Sequence, residues 1–343
     1  MGLKALKTTL AALAALGLGL AATAATAQDT CKSRGSLDTL YCDENGDLVA
    51  DPPKDAAKLR NPSTLVFTYT PVEDPAVYAN ILKPFIDHLA KVTGKRVVYY
   101  QVQSNAAEIE AMRSGRLHVG GFSTGPTGFA VNLAGAVPFA VKGNEKSLQG
   151  YHLIVIVKKD SPFKKLSDLK GKKVAHTSPS SNSGNLAPRV LFPPEGLKPD
   201  ADYKVAFSGK HDQSVLGVRS GDYDAAPVAS DVFYRMVRRG QIKESEFRII
   251  FKSPLFPTSS FAYAHDLHPA LVAKIKEAFF SFRYPPSMLK AFEGADRFFP
   301  ITYKKDWAAI RKIAEEAEGG YTRAKLDALA KKEAERAAKK AKK

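Results

Sequence analysis

From Ser63 onward the apolar positions switch repeatedly between a period of two and a period near 3.6. Thr64–Thr70 is a β-branched and aromatic strand, and Pro75–Thr93 is an amphipathic helix that Gly94 ends. Arg96–Val102 reads as a second strand and Ala106–Arg113 as a helix stopped by Ser114-Gly115. Leu117–Phe122 is a third strand, leading into the loop Ser123-Thr124-Gly125-Pro126. This alternation predicts an α/β protein with parallel sheets.

Part of the pattern occurs twice. Ala111-Met112-Arg113-Ser114-Gly115, the strand after it and the polar loop Ser123-Thr124 return as Gly217-Val218-Arg219-Ser220-Gly221, a strand Tyr223–Pro227 and the turn Ala229-Ser230-Asp231. Each copy also follows an earlier strand and helix: Leu65–Thr70 into Pro75, and Lys173–Ala175 into Gly184–Leu191. The chain therefore reads as two similar α/β lobes rather than one large sheet. Gly150–Lys158 and Ile249–Ala264 are extended segments placed to cross between them. Two crossings make a hinged clamshell, and open α/β lobes bind ligands at the carboxyl ends of their strands, here inside the cleft.

The chain start changes the compartment. Lys4 and Lys7 precede an apolar stretch Leu10–Leu20, and Ala25-Thr26-Ala27 supplies the small residues of a cleavage site, predicting export and a mature start at Gln28. No later stretch approaches the ~20 apolar residues of a membrane span. Cys31 and Cys42 are the only two cysteines, and in an oxidising compartment they are expected to form a structural disulfide. The 28–61 region is polar and reads as a stapled extension that folds apart from the lobes. Net charge is +16. Seven basic and two acidic residues in Lys331–Lys343 account for part of it; the remainder favours anionic ligands. Export, and the lack of a basic-aromatic patch at groove-binding spacing, exclude nucleic acid as the partner.

The segment Pro179-Ser180-Ser181-Asn182-Ser183-Gly184-Asn185 follows a strand and opens a helix. Short hydroxyl and amide side chains at a positive helix terminus suit a tetrahedral oxyanion, and equally suit an ordinary helix cap. His211, just before the helix Gln213–Arg219, is a second candidate donor, and Asp231 would add a carboxylate to the same cleft.

Several of these motifs, with Gly209-Lys210-His211-Asp212, Gly221-Asp222-Tyr223-Asp224-Ala225-Ala226 and Lys252-Ser253-Pro254-Leu255-Phe256-Pro257, resemble the phosphate/phosphite/phosphonate-binding proteins of ABC importers, in order and at similar spacing from Leu65 to Trp307. The resemblance implies a two-lobed periplasmic binding protein of the type II-like clamshell, and a ligand that is a small phosphorus oxyanion. It further implies an inner-membrane permease as partner, a monomer, and no cofactor. Lobe 1 would comprise 62–150 plus 260–320, lobe 2 151–259, and a basic helical tail 321–343. Carried over, the oxyanion-holding positions are Ser181, Asn182, Ser183, His211 and Tyr151, with Ser123 and Thr124 lining the cleft. Family members that take aminoalkylphosphonates clamp the ammonium with two acids. Asp231 matches one, Ser259 stands where the second would be, and Asn105 replaces a ligand-binding tyrosine.

Three rival readings remain. Gly121-Phe122-Ser123-Thr124-Gly125 satisfies a nucleophile-elbow pattern, with Asp231 and His265 following in hydrolase order. Pro126 argues against it, because the residue before a proline is pushed out of the helical region. His265 and His268 are metal-ligand types but read as surface residues, so no metal is expected. A sensor subunit would bind the same anion and hand it to a kinase.

Overall fold

The computed structural model describes residues 31–292 and 294–328, with 331 and 335. The expected signal segment 1–27 and most of the basic tail lie outside the described residues. The chain runs β1 (Thr64–Tyr69), α1 (Ala76–Thr93), β2 (Arg96–Tyr99), α2 (Asn105–Arg113), β3 (Val119–Phe122) and α3 (Thr124–Ala134). It continues through β4 (Ala136–Asn144), β5 (Ser147–Leu148), β6 (Gly150–Lys158) and β7 (Lys173–His176). A π-turn (Asn182–Leu186) leads into α4 (Ala187–Leu191), then β8 (Lys204–Phe207), α5 (His211–Ser220), β9 (Ala225–Ala229) and α6 (Ser230–Arg238). The last elements are β10 (Phe247–Pro257), β11 (Ser260–Ala264), α7 (Pro269–Ser281), α8 (Pro286–Ala291), β12 (Arg297–Pro300), α9 (Tyr303–Asp306) and α10 (Ala308–Glu318).

The strands form two sheets. In the first, β1 lies parallel between β2 and β3, and β11, β4 and β12 follow antiparallel, with β5 on β4. In the second, β7 lies parallel between β8 and β9, and β6 and β10 follow antiparallel. The repeated helix–glycine–strand segment is thus realised as one three-strand centre built twice. The sheets are mixed rather than parallel as expected, because the crossing strands enter directly from the other lobe without a helical crossover. The second strand of the repeat also lies two residues later than read, at Ala225–Ala229.

Local sequence explains the elements. In α1, Tyr78, Leu82, Phe85 and Leu89 recur every three to four residues and are all buried, and Gly94 closes the helix at φ 67°. Phe67, Phe85, Phe261, Phe279 and Phe298 then interlock as the aromatic centre of the first lobe, at centroid separations of 4.6 to 6.4 Å. Helix α3 corrects the proline argument. It runs through Thr124, Gly125 and Pro126 from an N-cap at Ser123, because the residue before the proline is a glycine with no Cβ for the ring to meet, and a proline in the first turn forfeits no intrahelical hydrogen bond.

Two crossing segments run side by side: Thr258 N–H donates to the Gln149 carbonyl at 3.1 Å, and Pro257 pairs with Gly150. The expected grouping of 260–320 with the first lobe needs correction. Tyr303, Trp307 and Ile310 are buried in the core of the second lobe, while Ala314 belongs to the first. Helices α9 and α10 therefore straddle both, with α10 against α3 and α4.

Residues 31–61 are likewise no separate unit. A disulfide joins Cys31 to Cys42. Leu37, Tyr41, Val49 and Ala50 are buried in the second core, and Asp38 meets Arg113 at 3.0 Å. The start of the tail is not all surface either, because Tyr321 and Leu326 enter the first core. A side chain at Gly128 would lie 2.1 Å from the Tyr321 ring.

Candidate functional site

One cleft, enclosing about 550 Å³ that includes open solvent, lies where the lobes meet. All ten ligand-binding candidates line it. Asn105, Ser123 and Thr124 come from the first lobe; Tyr151, Ser181, Asn182, Ser183, His211 and Asp231 come from the second; Ser259 lies on the crossing between β10 and β11. Most sit at helix starts. Asn105, Thr124, Asn182, His211 and Asp231 occupy the first turns of α2, α3, the π-turn, α5 and α6. Five positive helical ends therefore converge on one small volume, which attracts an anion irrespective of side-chain charge.

The Ser-rich loop is braced from behind. Asn185, fully buried, donates to the Pro179 carbonyl at 2.7 Å and accepts from Arg189 Nε at 3.2 Å. Its Oδ1 therefore faces a protonated Nδ1 on His176 at 2.9 Å, and His176 Nε2 accepts from Tyr203 at 2.7 Å. Burial lowers the His176 pKa to about 4, consistent with that neutral tautomer. Gly184 has no substitute, since a Cβ there would lie 1.8 Å from Thr177 Oγ1. Gly125 is equally constrained, with the Ser180 carbonyl 2.2 Å from where its Cβ would stand; this close approach brings α3 of one lobe onto the loop of the other.

Ser181 is a helix cap, its Oγ accepting from Gly184 N–H at 3.1 Å, and its own hydroxyl proton remains to be donated. Asn182 donates to Tyr151 Oη at 3.1 Å. Among the described residues the buried Asn182 Oδ1 and Thr177 Oγ1 have no hydrogen-bond partner, and both side chains belong to residues that line the cleft. His211 Nδ1 accepts from Ala229 N–H at 3.2 Å, so the neutral ring carries its proton on Nε2 as a donor. Burial holds its pKa at about 4, opposed by Asp231. Asn105 spans the lobes, donating towards Ser178 and Ser180 while accepting from Ser123.

Several cleft residues had escaped the sequence reading: Tyr69, Thr177, Lys210 and Arg235 line it, and Lys142 stands behind Tyr69. A lysine inside the apolar strand Ala136–Asn144 was the available signal for Lys142. Arg235 lies 3.7 Å from Asp231 one helical turn away. It also donates from Nε to Glu73 at 2.6 Å, and Arg239 pairs with the other oxygen of Glu73. Glu73 and Tyr78 belong to the first lobe and the arginines to the second, so this buried cluster joins the lobes. Burial would raise the Glu73 pKa, but the two guanidiniums outweigh it and hold the carboxyl below its usual range. A backbone bond, His211 N–H to the Val72 carbonyl at 3.1 Å, crosses beside it.

The hydrolase constellation is not assembled. Ser123 Oγ donates to Asn105, whereas His265 packs on Tyr41 at 4.9 Å near Gly135, at the other end of α3. Eleven helical residues, about 16 Å, separate the two. His268 caps α7 through Ala270 N–H. Among the described residues no group of three or more His, Cys, Asp or Glu side chains is placed to hold a metal ion.

Comparison with known proteins agrees with this architecture. Residues 67–307 match the family model described as the ABC transporter, phosphonate, periplasmic substrate-binding protein. The phosphate-import protein PhnD of Mycolicibacterium smegmatis is 29% identical over 243 residues, covering 67% of this chain and 75% of that protein. The phosphonates-binding periplasmic protein of Escherichia coli is 26% identical over 207 residues, or 59% of this chain and 61% of its own. Among solved structures, PhnD1 of Prochlorococcus marinus in complex with methylphosphonate superposes with a TM-score of 0.67 at 20% identity, over 76% of this chain and all of that one. A binding-protein component of a phosphonate ABC transporter from Pseudomonas aeruginosa gives a TM-score of 0.67 at 21% identity, over 81% and 98% of the two chains. With two lobes closing on a cleft of helix N-termini and short hydroxyl donors, and a family match spanning most of its length, the chain belongs to the phosphonate-type periplasmic substrate-binding proteins of ABC transporters.

Proposed function

We propose that this protein captures a phosphorus oxyanion (phosphate, phosphite or an alkylphosphonate) in the periplasm and delivers it, as a monomer with a cleaved signal, to an inner-membrane ABC permease. The observation that carries the proposal is the pair of buried, unpartnered acceptor and hydroxyl atoms on Asn182 and Thr177, in a cleft ringed by helix starts. Buried polar atoms without partners are rare in native proteins, and a bound oxyanion with its waters supplies such partners. In this reading Ser181, Ser183, Thr177 and Tyr151 donate hydroxyl protons, His211 donates from Nε2, and the first-turn N–H groups complete the seat. Five donors on a charged ligand are ample for submicromolar binding.

The protein binds and releases its ligand unchanged, so activated esters and a serine-directed probe are expected to leave Ser123 unmodified. A calorimetric panel of phosphate, phosphite, methylphosphonate and aminoethylphosphonate tests the proposal. Binding of at least one is expected, and failure of all four at millimolar concentration would overturn it.

A further inference from the structure

Lys142 is a charge without an evident purpose in a simple binding cleft. It lies on β4 with only 2% of its surface exposed, and its Nζ stands 5.1 to 5.7 Å from the rings of Tyr69, Phe261 and Phe292. Nζ donates to Tyr69 Oη at 2.7 Å, and among the described residues no carboxylate is within ion-pair distance of it. An ammonium so placed is costly unless something compensates it. The other buried charges nearby are matched, since Glu73 engages both Arg235 and Arg239.

The groups facing Lys142 can be enumerated. Tyr69 ends β1, and Tyr78 on α1 and Tyr284 before α8 adjoin the same aromatic cluster. Asp231 and Arg235 act on it from α6, with opposite sign, and Glu73 is already bound to the arginines. A nearby anion would balance the charge. Tyr69 supplies the route to one. Because its oxygen accepts from Lys142, its own single proton must be donated elsewhere, and Tyr69 lines the cleft together with Ser259.

We propose that Lys142 is a positioning and charge-sensing residue that acts through Tyr69: the bound oxyanion is its counter-ion, ligand binding draws a proton from solvent onto Nζ, and doubly charged oxyanions are thereby preferred. The inference rests on reading the cleft as an oxyanion seat. Burial, partly opposed by Asp231, lowers the Lys142 pKa to about 7, so near neutral pH the empty protein holds it only partly charged. An anion nearby raises that value. Between the free and bound values one proton is taken up per ligand, and affinity falls as pH rises through that window.

The test compares full-length wild type with Lys142→Met, by calorimetry with methylphosphonate in two buffers of different ionisation enthalpy, from about pH 7 to 9. The wild type is expected to take up more protons than the variant, by a fraction approaching one, and to bind roughly tenfold or more tightly. Ionisation of the ligand and of His211 is common to both proteins, so the difference isolates Lys142. Should the variant fail to fold, the carbon-13 shift of the Lys142 ε-carbon in wild type, titrated with and without methylphosphonate, reads the same quantity directly. Equal proton uptake and affinity, or a Lys142 titration unmoved by ligand, would overturn the inference. Absence of any binding by wild type would instead refute the oxyanion reading beneath it.

Discussion

Consider replacing Glu73 by Gln. The side chain keeps its shape but no longer neutralises the two guanidiniums that converge on it from α6 and its C-cap, one with Nε at 2.6 Å. Glu73 is 1% exposed and Arg235 6%, so neither is screened by solvent; Arg239, at 28%, is partly screened. Removing one partner of a buried pair costs about 3–5 kcal/mol. Discounting for Arg239 leaves about 3 kcal/mol, or roughly a hundredfold in an equilibrium constant. The cost falls on the state in which the lobes touch, because separated lobes leave all three groups hydrated. Methylphosphonate affinity should therefore drop about a hundredfold by calorimetry. The melting temperature of ligand-free protein should shift by only a few degrees, and small-angle scattering should show less compaction on ligand addition. The carboxyl is held below its usual pKa, so the cluster's contribution persists above about pH 4.5 and is lost only as pH falls through the folded value. If Glu73→Gln binds within threefold of wild type, or unfolds outright, the cluster is part of the fold and not a latch between lobes.

Three further outcomes are expected. Ser183→Ala and His211→Ala should each weaken oxyanion binding by roughly ten- to a hundredfold with little change in ligand-free stability, whereas Ser181→Ala should additionally cost about 1 kcal/mol in thermal or urea melts as a lost cap. Cys31→Ser should lower stability by at most about 3 kcal/mol in denaturant titrations and leave affinity unchanged, since none of residues 31–61 lines the cleft. Wild type should prefer methylphosphonate to aminoethylphosphonate, because Asp231 already faces Arg235 at 3.7 Å and Ser259 offers no charge. Ser259→Asp should narrow that preference, and a wild type that binds aminoethylphosphonate tenfold tighter than methylphosphonate would contradict the argument.

What the chain revealed before folding depended on how local its signals were. The two sheets were legible because helix, glycine and strand recur in order, and each sheet's centre is made from neighbours in sequence. The Ser-rich loop and His211 were legible because their motifs are contiguous. Lys142 and Tyr69 are 73 positions apart, and Glu73 and Arg235 are 162 apart. No periodicity links such residues: the first pair meets across the first sheet, between β4 and β1, and the second only where the two lobes approach. Pro126 was misread because the restriction a proline places on the residue before it was applied to Gly125, which has no Cβ for the ring to meet. The crossing strands were extended as expected, but nothing in their composition distinguishes antiparallel entry from parallel.

Helices α9 and α10 bear on how this molecule loses its structure. Trp307, fully buried, donates through Nε1 to the Thr124 carbonyl of α3 at 3.0 Å while packing in the core that also holds Phe233 and Val155. That core draws on Leu37 and Tyr41 from one end of the chain and Ile310 from the other. The second lobe therefore does not complete its interior from residues 151–257 alone. Calorimetric melting should show one cooperative transition, with van't Hoff and calorimetric enthalpies equal, where independent lobes would give two. A fragment spanning only 151–257 would expose the surface that Trp307 covers, so it should remain unfolded or aggregate until a segment carrying α9 and α10 is supplied.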